Sequence, residues 1–192
     1  MAQKTKDLNP LCVSDESALL IIDIQTHLTA VMPAKVLARL KRNTTLLLKA
    51  ADILNIPVVA TEQYPQGLGP LEPEIVEILP KSTNRIEKTC FSCVGADNFL
   101  ETLNKLERKQ IIIMGLEAHV CVLQTAIELL DNDYQVFVVI DGICSRHREN
   151  YEASLYRMRQ SGIITCNAES VLFEWLRDSK HEHFKTLSKL VR

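Results

Sequence analysis

The chain has no surplus of charge of either sign. Its 22 basic and 24 acidic residues are interspersed and leave a formal net charge of −2. That excludes the electrostatic footprint by which a protein holds a nucleic-acid backbone or an anionic bilayer, so neither nucleic acid nor a membrane is expected as a partner. No apolar run approaches the roughly 20 residues a helix needs to span a membrane. The first 17 residues have no apolar core and no Arg, and they carry Asp7, Asp15 and Glu16. Neither a secretory signal nor a convincing transit peptide reads that way. They are expected to form an N-terminal arm, 1–17, ahead of a single domain, 18–192, in the cytoplasm, with a mitochondrial location left open. Histidine is scarce: there are 5, with none between His27 and His119. Internal repeats, low-complexity tracts and linkers are absent.

What is present has the composition of an ordinary globular domain. The 192 residues are 46% hydrophobic and 24% charged, enough for one sizeable core. Apolar strand patterns at 18–24, 57–61, 110–115, 135–140 and 162–166, with a more polar one at 85–90, alternate with helical patterns. The helices are expected at 35–54, 74–79, 99–106, after Cys121, at 151–158 and over most of 170–191. A loop, 61–73, is marked by Pro65, Gly67, Gly69, Pro70 and Pro73. Strands alternating with helices imply βαβ units, and near-continuous apolar strands imply a parallel sheet covered on both faces. The fold expected is a three-layer α/β/α sandwich with a mainly parallel sheet of six strands, Rossmann-like in type.

Three strand ends carry reactive side chains: Asp23, Lys88 and Cys121. Cys121 follows the apolar run Ile111–Met114, Gly115 and a short turn, and it opens a helical pattern. A thiol at a helix N-terminus is expected to have a lowered pKa. In a doubly wound sheet the first and fourth strands often lie together at the switch point, where ligands bind. Asp23 and Cys121 can then share one crevice, with the carboxylate taking the thiol proton, the Lys88 ammonium stabilising anions and turn N–H groups holding an oxyanion. Each residue alone has a plainer explanation: a buried structural cysteine, a turn-capping Asp, a Lys snorkelling from an edge strand.

Taken in order, Ile22-Asp23-Ile24-Gln25, Glu87-Lys88-Thr89-Cys90-Phe91-Ser92 and Gly115-Leu116-Glu117-Ala118-His119-Val120-Cys121-Val122 resemble the isochorismatase-like cysteine hydrolases. So do Asp141-Gly142-Ile143-Cys144-Ser145-Arg146 and 157–162, and the loop at Thr61–Gly69 resembles the isochorismatase domain-containing subgroup. The resemblance implies an Asp–Lys–Cys triad at Asp23, Lys88 and Cys121. It also implies a cis peptide at Leu116–Glu117, an oxyanion hole from the N–H groups of Glu117 and Cys121, and a homo-oligomer. The implied activity is hydrolysis of a small amide or related carbonyl compound through a thioester. Metal-containing nicotinamidases of the superfamily carry Asp-x-His after the second strand; here that place reads Thr61-Glu62-Gln63-Tyr64. Neither a metal nor any other cofactor is therefore expected.

Gln25, Tyr64, Phe91 and His119 are candidate substrate contacts, His119 having a turn or interface position as its alternative. Cys90-Phe91-Ser92-Cys93 is a lone CxxC with no second pair, open to a redox role. His181 and His183 are two residues apart and would not share a helix face. The alternatives to a hydrolase are a binding or scaffold protein that keeps the fold, a ribonuclease, as some members of the subgroup are labelled, and a thiol redox protein.

Overall fold

In a computed structural model, residues 9–191 are described; the first part of the arm, 1–8, lies outside them. The strands are β1 (Ser17–Ile22), β2 (Val58–Gln63), β3 (Asn84–Lys88), β4 (Gln110–Leu116), β5 (Gln135–Cys144) and β6 (Ile164–Cys166). Between β1 and β2 lie α1 (Thr26–Thr29) and α2 (Ala34–Ile53), and between β2 and β3 lie α3 (Pro65–Leu68) and α4 (Pro73–Val76). Helices α5 (Phe99–Lys105), α6 (Leu123–Asp131) and α7 (Arg148–Gln160) precede β4, β5 and β6, and α8 (Ala168–Leu176) and α9 (Phe184–Leu187) end the chain.

Every strand pair is parallel, and the order is β3-β2-β1-β4-β5-β6. The chain leaves the centre through β2 to β3, returns to β4 beside β1 and runs outward again. The switch point therefore lies between the C-terminal ends of β1 and β4, where open α/β sheets place ligands. Strand periodicity divides the core. Leu19 and Ile21 of β1 join Leu40 and Leu47 of α2 and Trp175 of α8 on one face. Ala18, Leu20 and Ile22 join Phe99, Leu129 and Met158 on the other. β3 reads as more polar because it is an edge strand, and Lys88 is its one buried residue.

Several element bounds move. β2 continues past residue 61 to Gln63 because β3 pairs with it up to Gln63–Lys88. β5 runs on to Cys144 through a register shift that re-pairs it with Gly115 and Leu116. The helical segment expected over 170–191 breaks after α8, where Arg177 turns left-handed (φ 59°) and its N–H closes on the Phe173 carbonyl at 2.9 Å. From residue 9 onward the arm packs under the sheet. Gln135 donates to the Asn9 carbonyl at 2.6 Å, and the Cys12 and Val13 N–H groups donate to Glu174 and Gln110, each at 2.7 Å. The arm thus closes the N-terminal ends of β4 and β5, opposite the switch point. No helix among the described residues is long and apolar enough to cross a membrane.

Candidate active site

The register sets the site. Ile22 is paired with Thr61 on one side and Gly115 on the other, and Gln63 is paired with Lys88. Asp23 follows Ile22 in a left-handed conformation (φ 52°), uncommon for a non-glycine residue, with its N–H on the Thr61 carbonyl at 3.2 Å. Its carboxylate is held at both oxygens: the Thr61 hydroxyl donates to Oδ1 at 2.6 Å and Lys88 Nζ donates to Oδ2 at 2.7 Å. Lys88 Nζ also reaches Gln63 Oε1 at 2.6 Å and the carbonyls of Phe91 and Cys90 at 3.2 and 3.3 Å. Gln63 is fixed in turn by donating to the Thr89 carbonyl at 2.7 Å. Both charged side chains of the pair are fully removed from water. Burial pulls the Lys88 pKa down, but the adjacent Asp23 carboxylate outweighs it, and the ammonium is held above the ordinary lysine value.

The nucleophile candidate arrives from β4. Gly115 has φ +130°, and a Cβ there would lie 2.0 Å from the Ile22 carbonyl oxygen, so only glycine lets the two central strands remain paired at this point. A single π-helical turn, Ala118–Val122, follows, with the Val122 N–H on the Glu117 carbonyl at 3.3 Å. Such turns recur at functional sites. Cys121 sits within it, 6% exposed, and its thiol lies near enough to the Asp23 carboxylate and the Lys88 ammonium to feel both charges.

Two expectations are corrected here. The Leu116–Glu117 peptide is trans, for no cis bond occurs among the described residues. A non-proline trans bond is the favoured form, and Gly115 together with the π turn makes the change of direction. The Cys121 thiol is also not acidified. Burial first, and then the Asp23 carboxylate, push its pKa up, and Lys88 opposes them only in part. Helix α6 begins at Leu123, beyond the thiol, so the expected N-terminal dipole is weaker than the desolvation. The resting site is therefore a neutral thiol beside a carboxylate–ammonium pair.

The other candidates separate. Gln25 is fully buried and its amide is committed to the backbone: it accepts from the Gln63 N–H at 2.7 Å and donates to the Gly69 and Gln63 carbonyls at 2.6 and 3.0 Å. It clamps the loop after β2 and has no free group for a substrate. Tyr64 and Phe91 are more than half exposed. His119 is engaged by the β5–α7 segment, with Nδ1 at 3.0 Å from Ser145 Oγ and Nε2 at 3.3 Å from Asn150 Nδ2. Thr61 and Gln63, which orient Asp23 and Lys88, are the residues that sequence reasoning passed over. Their signal was position, at the C-terminal end of the strand beside β1.

Cys93 was grouped with Cys90 in the CxxC. It is fully buried with its sulfur 3.8 Å from Thr61 Oγ1, and burial pushes its thiol up to about 12. Both thiols are free. A cleft of about 420 Å³ opens beside Lys88, walled by Tyr64, Gln66, Glu87, Cys90 and Asp97. Neither Asp23 nor Cys121 lines it, so it is an approach to Lys88 and stops short of the thiol. Among the described residues, no group of three or more His, Cys, Asp or Glu is placed to hold a metal ion.

A family model described as the isochorismatase domain matches residues 17–170. The chain belongs to the isochorismatase family. Within that family it is 40% identical over 146 residues to isochorismatase domain-containing protein 2 of Bos taurus, a match covering 76% of this chain and 70% of the relative. The secreted isochorismatase effector Isc1 of Phytophthora sojae is 35% identical over 199 residues, covering 100% of this chain and 91% of that protein. The solved structure of the MAR1 ribonuclease from Caenorhabditis elegans is 34% identical with a TM-score of 0.88, covering 94% of this chain and 92% of that one.

Proposed function

We propose that this protein is a cysteine hydrolase of small amides or related carbonyl compounds, using Cys121 as nucleophile, Asp23 as proton carrier and Lys88 as fixed counter-charge. The observation that carries the reading is the Asp23 carboxylate, buried, bonded to the Lys88 ammonium and near enough to the Cys121 thiol to act on its proton. Asp23 takes the thiol proton as Sγ attacks the carbonyl carbon. The oxyanion is held by the N–H groups of Glu117 and Cys121. Collapse expels the amine, protonated by Asp23, and leaves a thioester on Sγ. Water, deprotonated by Asp23, then attacks the thioester carbon, and the thiolate leaves and recovers the proton. Lys88 stays charged throughout and holds the Asp23 side chain in place between proton transfers. A neutral resting thiol suits this sequence, because the proton moves only when the developing negative charge can pass to the carbonyl oxygen.

The remaining parts of the proposal follow from the same site. The cleft beside Lys88 carries Glu87 and Asp97, which would repel a phosphate backbone, and this weighs against a ribonuclease. Tyr64, which lines the cleft, and Phe91, next in sequence to its wall residue Cys90, are exposed and offer apolar surface for a second copy of the chain to cover, which fits a homo-oligomer. A reducing compartment such as the cytoplasm suits a thiol nucleophile among six free cysteines.

The test pairs iodoacetamide alkylation with ammonia release from a panel of small primary amides, in wild type, Asp23→Asn and Cys121→Ser. Wild-type Cys121 is expected to alkylate slowly at pH 7 and faster as pH rises. Asp23→Asn removes the carboxylate and leaves Lys88 facing the thiol, so Cys121 should alkylate faster at pH 7 while ammonia release is lost. Cys121→Ser should release none. If Asp23→Asn leaves alkylation unchanged, or no amide is turned over by wild type, the hydrolase reading falls and a binding or scaffold role replaces it.

A further inference from the structure

On the other flank of the Cys121 turn, at the C-terminal end of β5, a crevice of about 290 Å³ lies between the N-terminal parts of α2 and α7. Pro33, Val36 and Tyr151 give it apolar walls. The Tyr151 hydroxyl donates to the Ile140 carbonyl at 2.7 Å, so its polar end is already engaged. Arg148 and Glu152 at the rim pair with one another at 2.6 Å. Arg39 is different. Its Nε is buried with no hydrogen-bond partner, and the guanidinium enters no ion pair among the described residues. A guanidinium presents a fixed fork of donors that matches a carboxylate, and leaving a buried donor unmatched is costly.

We propose that this crevice binds a small carboxylate with an apolar body, its carboxylate paired to Arg39 and its body against Val36 and the Tyr151 ring. A single unmatched cation, with Glu152 at the rim, suits a monoanion better than a phosphate dianion. The crevice shares no lining residue with the cleft at Lys88, and the proposal does not rest on the hydrolase reading. Ser145 lines the crevice and contacts His119, and the Arg146 N–H donates to the Glu117 carboxylate at 3.0 Å. A ligand here therefore touches a turn that is tied at two points to the segment carrying Cys121.

The experiment titrates the ¹⁵N-labelled full chain with sodium benzoate at constant ionic strength, with benzamide as the uncharged isostere. Saturable shifts are expected at the Arg39 Nε–H and at the amides of Ser145, Arg148 and Tyr151, and through Ser145 at His119. Benzamide should bind about 10-fold more weakly or worse, and Arg39→Met should weaken benzoate by a similar factor. Arg39→Lys, which keeps the charge but not the fork, should fall between, and the amide spectra of both variants report whether they are folded. Equal binding of benzoate and benzamide, undiminished benzoate binding by folded Arg39→Met, shifts centred on Lys88 and Thr89 instead, or no saturable shift at all would each overturn the proposal.

Discussion

Two cationic side chains lie at the C-terminal end of the sheet, and they are treated in opposite ways. On the β2–β3 side, the Lys88 side chain is fully buried and the polar atoms around it are matched: both Asp23 oxygens, the ammonium, and both ends of the Gln63 amide. On the β5–α7 side, Arg39 has a buried nitrogen that donates to nothing. A saturated network fixes geometry in advance, so that no group must be reoriented when a substrate arrives. An unsaturated donor in a crevice holds interaction energy that only an incoming acceptor can release. The first is the signature of machinery already assembled, and the second of a site defined by what binds it.

The comparison predicts opposite responses to the same chemical change, removal of the positive charge. Lys88→Met strips Asp23 of its counter-ion while leaving the carboxylate buried. Breaking a buried pair in this way costs about 3–5 kcal/mol, because the surviving charge has no compensation. Urea denaturation should show the midpoint fall with the m-value unchanged. A variant as stable as wild type would mean that water or another cation reaches Asp23, and that the network is not closed.

Alkaline pH tests the same closure more gently. Burial pushes Cys93 and Cys144 up to about 12 from 9.0, and Cys121 and Lys88 are raised as well. A raised native pKa means that the folded state holds protons the unfolded state has released. The stability these groups supply is complete below their unfolded values and is lost as pH climbs toward the folded ones. Each buried thiol should cost about 1 kcal/mol by pH 10. Melting temperature is therefore expected to fall steadily above pH 9, and Cys144→Ala should flatten that fall by close to one proton. A flat profile to pH 11 would mean that the thiols ionise in place.

Much of this could be read from the chain before any coordinates. The apolar runs at β1 and β4 imply a sheet buried on both faces, and a switch point between those strands brings Asp23 and Cys121 to the same end of the sheet. Lys88 could be read as a strand-end residue, since it closes the short polar run of the edge strand β3. Thr61 and Gln63 could not, because their roles depend on β2 running two residues further and on the pairing of Gln63 with Lys88. The direction of the Cys121 pKa was also hidden. A helix-start pattern is local and visible in sequence, whereas burial is a sum over residues from β1, β4 and the turn. Arg39 was the least visible. On an amphipathic helix such as α2 an arginine reads as part of the solvated face, and only the packing of α7 against the crevice reveals that its Nε has lost water without gaining a partner.

The smallest expected effect is the sharpest contrast with Lys88. Arg39→Met keeps the aliphatic length of the side chain, and hence most of its packing against Val36 and Tyr151, while deleting a buried donor that bonds to nothing. Removing an unsatisfied group relieves its desolvation, so the ligand-free variant should be as stable as wild type or more stable by about 1 kcal/mol. A purely structural arginine would give the opposite sign, since losing real partners destabilises. Thermal unfolding without added carboxylate reads that sign directly, as a rise of a few degrees or no change. The same charge removal that is ruinous at Lys88 would then be harmless at Arg39. The difference would come from the partners, because both side chains are cations set at the same end of the sheet.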